Sequence, residues 1–303
     1  MTIYRTVLEV DLEPIAGSLF QPTGFPDLGA AEFGDNRLLV ESAQSMANWL
    51  ESTTWDAATN DQVPELAGIP YVRVVSPGNV FLSSSRLEAH RLASAYIMLG
   101  TVNGVGGEAW IGEQLGLVKG QPLDYRAVAR ACFRLDPVSL VHGVFFARKN
   151  WAWQPKIARA VTSFIEASGA RAATSGGVKR DVVVNEAKNG ATSDGYGTVP
   201  HHRVEYTAKQ ISAYFTVDHA QLRSYGLSEA ATGLLEALAD YEIATLLDRG
   251  LRLRTRCDLV VSEVVKGERP DAAVAAAAIK QRVAECAGEL GPITEVVWPP
   301  KAS

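Results

Sequence analysis

Short hydrogen-bonding side chains form the first group in the sequence that could bind a ligand. They flank a loop, positions 20 to 29, that holds two prolines and two glycines. Such a loop cannot be a regular helix or strand, and it leaves backbone N–H groups exposed. Neutral donors at the start of a helix suit an anion such as phosphate. The candidate contact residues of this region are Gln21, Thr23, Ser42, Gln44, Ser45 and Asn48.

Cationic side chains farther along the chain could hold further phosphates. Arg86 and His90 are four residues apart, which would place both on one face of a helix. Residues 251 to 261 alternate as a strand does, so their arginines would share one face about 6.6 Å apart, close to the phosphate repeat of a single strand. A solvated basic face remains an equal alternative. The arginines of this row are Arg252, Arg254 and Arg256.

No motif for catalysis accompanies these residues. A nucleophile elbow, a phosphate-binding P-loop and a complete dinucleotide fingerprint are all missing from the sequence. His201 and His202 are adjacent and would point apart in a strand, and no cysteine or third histidine lies near them. The three cysteines are odd in number and far apart, so they indicate neither a disulfide framework nor a zinc site. We expect them to be buried small side chains. We therefore expect no catalytic residue, no metal and no cofactor.

Hydrophobic periodicity predicts the elements that position these residues. Residues 156 to 168 fit a helix or a strand, and we favour a strand that pairs with residues 139 to 147. The other predicted strands are 3–12, 71–75, 211–222, 251–261 and 293–298. The predicted helices are 38–51, 83–97, 108–116, 125–135, 228–247 and 271–290.

Length and composition indicate one large folded domain. The chain has 303 residues, and 47% of them are hydrophobic. The element order predicts an α+β fold, with a ferredoxin-like or RRM-like antiparallel sheet, helices on one face and large insertions. Residues 53–135 would form a helical insertion, and the Gly-, Ser- and Asn-rich residues 174–203 a projecting β-hairpin. We find no membrane span or signal peptide pattern, and expect a cytoplasmic protein without a membrane partner.

The charges are unevenly distributed. The net charge is −5, which argues against a simple nucleic-acid-binding protein. Residues 1 to 66, however, hold eleven acidic and two basic residues, whereas residues 148 to 180 hold seven basic residues and one acidic residue. Such a chain could bind an anionic polymer locally, or stack head to tail with copies of itself.

Several segments resemble one known family. Residues 20–31 and 39–48 look like the N-terminal signature of the Cas7-type backbone protein of type I-G (formerly I-U) CRISPR effector complexes, a member of the RAMP superfamily. Residues 175–179 and 197–207 are also similar to that family. The resemblance covers most of the chain in patches, from about Phe20 to Arg256.

The resemblance implies a non-catalytic role in antiviral defence. Such a subunit polymerises head to tail along the guide crRNA of a surveillance (Cascade) complex, beside other Cascade subunits. It holds the RNA backbone and leaves the bases free to pair with target DNA. The hairpin at 174–203 would correspond to the thumb of the family. On this basis Lys179 and Arg203 join the candidate RNA contacts.

Two other functions remain open. Related backbone subunits of type III complexes cleave target RNA with a loop aspartate, and Asp27 would be the nearest candidate in this chain. A purely structural subunit that touches only neighbouring proteins is the second alternative.

Overall fold

The computed structural model describes residues 3–25, 28–149, 151, 153–179 and 199–298, and shows a mixed α+β fold. The strands are β1 (Arg5–Pro14), β2 (Gly24–Phe25), β3 (Gly29–Ala30), β4 (Glu32–Phe33), β5 (Arg37–Glu41), β6 (Trp55–Asp56), β7 (Asp61–Gln62), β8 (Val72–Val75), β9 (Phe81–Ser84), β10 (Thr101–Val102), β11 (Val105–Gly106), β12 (Val144–Phe145), β13 (Lys156–Ile157), β14 (Val161–Ser168), β15 (Arg171–Lys179), β16 (Val199–Thr207), β17 (Gln210–Asp218), β18 (Leu251–Arg254), β19 (Cys257–Lys266) and β20 (Thr294–Val297). The helices are α1 (Ala43–Ser52), α2 (Ala95–Leu99), α3 (Gly107–Gln114), α4 (Tyr125–Leu135), α5 (Val138–His142), α6 (His219–Ser224), α7 (Glu229–Arg249) and α8 (Ala272–Glu285).

A seven-stranded antiparallel sheet forms the centre of the molecule, in the order β18-β19-β1-β17-β14-β5-β4. Alternation along its strands sends one set of side chains into the core, as the sequence predicts for β17. Residues 219–222, the end of that predicted strand, belong instead to α6. Helices α1 and α5 pack against β14, and α6 packs against β1. The predicted α+β class with an antiparallel sheet is thereby confirmed. The finer ferredoxin-like or RRM-like arrangement stays a prediction.

Helix α7 lies at the centre of the helical layer. It contacts α1, α5, α6 and α8, and most of its side chains are buried. The Ser228 side chain caps its N-terminus by accepting a hydrogen bond from Ala231 N–H, and Gly250 ends it with a φ of 75°. The helix predicted at 228–247 is thereby confirmed, with its end two residues later.

A second sheet has the strand order β11-β10-β20-β8-β9. Its central strand, β20, pairs in parallel with β8 and antiparallel with β10. The predicted C-terminal strand therefore exists, but it completes this second sheet and not the central one. The range 53–135 contains β6 to β11 as well as helices α2 to α4.

Two predicted helices are wrong in part. Residues 37–41 form β5, because Leu38 and Val40 alternate into the core while the strand pairs with β14. Residues 81–84 form β9, and the segment that follows contains only a short 3-10 helix, Arg91–Ala93, before α2. A second 3-10 helix covers Pro64–Leu66.

The predicted strand 139–147 is also wrong. Residues 138–142 form α5, which ends at Gly143 with a φ of 79°, and only Val144 and Phe145 are extended. The segment 156–168 does form strands, so its helical alternative is wrong. Its long strand β14 pairs with β17 and β5, and only β13 pairs with β12.

Strand 251–261 is interrupted. The chain turns after Arg254, and Cys257 begins β19, which pairs back on β18. The three arginines therefore do not share one face of a single strand.

A hairpin of β15 and β16 leaves the central sheet, and its strands pair over nine residues each. Residues 180–198, on which its predicted tip falls, lie outside the described residues. Within the described part of the chain, no helix has both the length and the apolar character needed to cross a membrane.

Candidate functional site

A groove of about 480 Å³ lies where the loop after β1 meets the base of the hairpin. Gln21 and Thr23 line one side, and Arg203 and Tyr206 of β16 line the other. Arg254, at the end of β18, completes the wall. Four of the predicted contact residues thus come together from three segments that are far apart in the sequence.

Backbone hydrogen bonds fix the loop in place. Phe20 and Tyr206 exchange two hydrogen bonds, with N···O distances of 2.9 and 2.8 Å. Gln21 N–H donates to the carbonyl oxygen of Arg256 at 2.6 Å, and Thr23 N–H donates to that of Val40 at 2.9 Å. The loop is therefore anchored to β16, to the turn before β19 and to β5, which gives the groove a defined wall.

Arg254 holds this wall together. Its guanidinium donates to the carbonyl oxygen of Gln21 at 2.6 Å and to that of Val40 at 3.3 Å, and it pairs with the Glu41 carboxylate. Its side chain is 25% exposed. Arg254 consequently positions the loop, and only the exposed part of its side chain can contact a ligand.

A second ion pair joins the hairpin to the β18–β19 turn. The buried Glu205 carboxylate accepts a hydrogen bond from Arg256 Nε at 2.8 Å and one from Ser175 Oγ at 3.2 Å. Arg203 lies 3.9 Å from the same carboxylate. The hydrogen bond from Arg256 holds the pKa of Glu205 below its usual value.

The Tyr206 hydroxyl, on the hairpin side of the groove, is bonded within the protein. It donates to Glu32 at 2.5 Å, and burial raises its pKa to about 12. The groove therefore combines neutral donors with guanidinium groups whose charge is partly balanced by carboxylates. This arrangement suits a phosphate–sugar backbone of any sequence, held by several weak contacts. Among the described residues, no group of acidic, histidine or cysteine side chains could hold a metal ion.

Residues 6–172 match a model of the family described as "CRISPR-associated protein GSU0053". The chain belongs to this family. The match covers more than half of the chain, and the family is of the Cas7 type, so the resemblance found in the sequence is confirmed.

Solved structures of CRISPR proteins are also similar to the chain. A structure titled "CRISPR RNA-guided surveillance complex, pre-nicking" matches with 10% identity over 80% of this chain and 72% of that chain, with a TM-score of 0.41. The crystal structure of Thermofilum pendens Csc2 matches with 12% identity over 95% of this chain and 76% of that chain, with a TM-score of 0.32. At these TM-scores the similarity is too weak to support a conclusion about fold or function. No curated protein matches the sequence.

In this CRISPR-associated chain, the other predicted residues of the loop and helix lie at the start of α1. Ser42 is the N-cap, and its Oγ accepts a hydrogen bond from Ser45 N–H at 3.2 Å. Gln44 and Asn48 are exposed one turn apart on α1. Helix α1 begins two residues after Glu41, the partner of Arg254, but these four residues do not line the groove, and their contact with RNA stays a prediction.

Arg86 is removed from the candidate contacts by its position. Its side chain is fully buried, its Nε bonds the Asp136 carboxylate at 2.7 Å, and its guanidinium also donates to the carbonyl oxygen of Pro70 at 3.2 Å. The sequence suggested an exposed helical face, but residues 83–86, at the end of β9 and directly after it, are buried. His90 is exposed and lies at the start of the 3-10 helix.

Arg252 and Lys179 are two further predicted contact residues that lie outside the groove. Arg252 is 79% exposed and lies 4.0 Å from Asp258. Lys179 is the last residue of β15, opposite Val199. Neither lines the groove, and their contact with RNA stays a prediction.

Sequence reasoning missed several residues that shape the site. Tyr206, Glu205 and Glu41 were not singled out, although residues 205 and 206 lie in a segment similar to the family. It also missed a buried pair in which Arg91, with a φ of 51°, donates two hydrogen bonds of 2.6 Å to Glu51. No local pattern signals such pairs, because the partners are forty or more residues apart.

Proposed function

We propose that this chain is a non-catalytic backbone subunit of a CRISPR surveillance (Cascade) complex. It polymerises along the guide crRNA, holds the phosphate backbone and exposes the bases for target DNA. The observation that carries the proposal is the convergence of Gln21, Thr23, Arg203 and Arg254 on one groove in a member of a Cas7-type CRISPR family.

The chemistry of the groove supports sequence-independent contact. Its donors are amide, hydroxyl and guanidinium groups, which recognise phosphate and ribose. Base pairing then supplies the sequence specificity, so the protein has no need to read base edges. Because Glu41 and Glu205 balance part of the positive charge, a single groove binds weakly, and affinity comes from several copies on one guide.

The hairpin β15–β16 forms one wall of this groove through Arg203 and Tyr206. In the proposed assembly it acts as the thumb, and the central sheet has the ferredoxin-like or RRM-like order of a single RAMP-type domain with insertions. Other Cascade subunits and further copies of the chain are the protein partners.

Reversal of one charge in the groove tests RNA contact. The protein is co-expressed with a CRISPR guide and its partner subunits, and the bound nucleic acid is extracted and sequenced. Arg203→Glu should lower guide retention and make its logarithmic salt dependence shallower by about 0.7 for each phosphate that the variant no longer binds. Lys280→Glu, an exposed charge reversal on α8 away from the groove, is the matched control and should retain the guide.

Two outcomes would decide against the proposal. A wild-type assembly that contains no guide RNA would favour a purely structural subunit. Magnesium-dependent cleavage of labelled target RNA that is abolished in Asp27→Ala would favour the nuclease alternative. Asp27 lies outside the described residues.

A further inference from the structure

One face of the central sheet carries acidic and aromatic side chains. In β1, Glu9, Asp11 and Glu13 alternate with the buried Leu8, Val10 and Leu12, so they lie on the face opposite the core. The register places Glu9 between Tyr214 of β17 and Lys266 of β19, and it places Glu263 opposite Asp11. We call Glu9, Asp11, Glu13, Tyr214 and Glu263 the acidic sheet face.

The acidic sheet face is costly for the isolated chain. Glu263 and Asp11 are like charges directly opposite each other, an arrangement that destabilises a sheet. Asp11 accepts hydrogen bonds from Gln210 and Ser212, but Glu9, Glu13 and Glu263 form no ion pair with a described residue. A cationic partner would remove this repulsion.

An aromatic pair lies beside these carboxylates. The rings of Phe164 and Tyr214 stack with a centroid distance of 5.1 Å, and both side chains are half-buried. Elsewhere on the same sheet, Arg37 neutralises Glu166 and Arg5 neutralises Asp218. An aromatic surface flanked by carboxylates is well suited to guanidinium groups, which stack on rings and pair with carboxylates at once.

Helix α4 carries the complementary charge. Arg126, Arg130 and Arg134 are spaced by four residues and are all exposed, so they form one row along the helix. No ion pair with a described residue involves Arg126 or Arg134, and Arg130 lies 3.9 Å from the exposed Asp124. We call these three residues the arginine stripe.

The two surfaces match in spacing as well as in charge. Residues four apart in a helix rise about 6 Å, so the arginine stripe spans about 12 Å. Residues two apart in a strand are about 6.6 Å apart, so Glu9 to Glu13 spans about 13 Å. The stripe thus matches the length of this part of β1, and because Lys266 lies opposite Glu9, the carboxylates without a cation opposite them are Asp11, Glu13 and Glu263.

We infer that the acidic sheet face of one copy binds the arginine stripe of the next copy, head to tail. A nucleic acid could contact the stripe but would be repelled by the sheet face, whereas a second copy accounts for both surfaces. The two surfaces differ, so the contact is heterologous and repeats along a filament. This inference rests on the proposed function, because a backbone subunit must contact further copies of itself.

Charge exchange between two variants tests this contact. The face variant carries Glu13→Lys and Glu263→Lys, and the stripe variant carries Arg126→Glu and Arg130→Glu. All four positions are exposed, so both variants should fold, which circular dichroism and thermal unfolding check. Each is co-expressed with guide and partner subunits, and native mass spectrometry counts the copies of the chain in each assembly and shows whether the guide is bound.

Each variant alone should reduce multi-copy assemblies by about tenfold or more. The face variant then has two basic surfaces and the stripe variant two acidic ones. A mixture should restore filaments in which the two variants alternate, since each repels its own kind. Lys280→Glu should assemble like the wild type.

The outcomes separate this inference from the proposed function. Normal assembly of either variant alone, or no restoration in the mixture, would overturn the inference while guide retention still supports RNA binding. Failure of the stripe variant to retain the guide, with its copy number unchanged, would identify the stripe as a nucleic-acid contact instead. A wild-type complex without guide RNA would contradict the proposed function.

Discussion

At the scale of single residues, the groove depends on carboxylates that neutralise its arginines. Glu205 is buried and accepts a hydrogen bond from Arg256, while Glu41 pairs with Arg254. These pairs orient the hairpin and the loop, yet they reduce the positive charge that an RNA would meet. The site therefore favours defined geometry over strong electrostatic attraction.

The pH dependence of stability should report the Glu205–Arg256 bond. The folded pKa of Glu205 is lowered, so its contribution is present above the unfolded value near 4.5 and is lost as the pH falls through the folded pKa. Since Arg256 is partly exposed, Glu205→Gln should cost about 1 kcal/mol of unfolding free energy at neutral pH. The cost should shrink below the unfolded pKa.

Urea unfolding followed by tryptophan fluorescence, at neutral and at acidic pH, measures both values. Glu268→Gln, an exposed position on the loop after β19, is the control and should have little effect at either pH. An equal cost of Glu205→Gln at both pH values would show that the charge of Glu205 contributes nothing.

At the scale of elements, glycine decides where α5 ends. Gly143 has a φ of 79°, and a Cβ at this position would lie 2.7 Å from the carbonyl oxygen of Ile157. Its own carbonyl oxygen accepts a hydrogen bond from Arg91 at 3.1 Å. Close approach to β13 and a left-handed backbone conformation together require glycine, and they explain why the apolar segment 139–147 is not one strand.

Gly143→Ala should lower the unfolding free energy by more than the backbone penalty of a left-handed residue alone. Gly104 has a similar φ of 82°, but a Cβ there would meet nothing within 4 Å. Gly104→Ala should therefore cost about 1–2 kcal/mol, the usual penalty of a left-handed residue. Gly143→Ala adds the clash with backbone and should cost at least about 1 kcal/mol more. Equal losses in chemical unfolding would contradict this account of the turn.

At the scale of the whole molecule, the C-terminal strand joins distant parts of the chain. β20 lies between β8 and β10, and Val296 is fully buried in it. The buried apolar cluster that includes Val296 also contains Leu8 and Val10 of the central sheet. The two sheets therefore share one core, which favours cooperative unfolding.

Val296→Ala should lower the unfolding free energy by about 2 kcal/mol, because it leaves a cavity in this shared core. Ile293→Ala, at an exposed position just before β20, should change it by less than about 0.5 kcal/mol. Far-ultraviolet circular dichroism and tryptophan fluorescence should give coincident transitions in both variants. Separate transitions in Val296→Ala would show that the sheets unfold independently.

The sequence by itself determined the local features of this protein. Hydrophobic periodicity identified β1, most of β17 and α7. The proline- and glycine-rich loop, the α+β class and the CRISPR family were also readable from it. These features depend on neighbours in the sequence or on short motifs, which is why periodicity and resemblance detect them.

Only the tertiary structure decided which polar residues meet. Arg86 looked like an exposed contact, but its partner Asp136 lies fifty residues away and holds it in the core. Arg254 and Arg256 looked like one basic row, but a turn and the distant carboxylates Glu41 and Glu205 give each a separate role. Burial and pairing of a charge depend on nonlocal partners, because a desolvated ion is tolerated only where a counter-charge arrives from elsewhere in the fold.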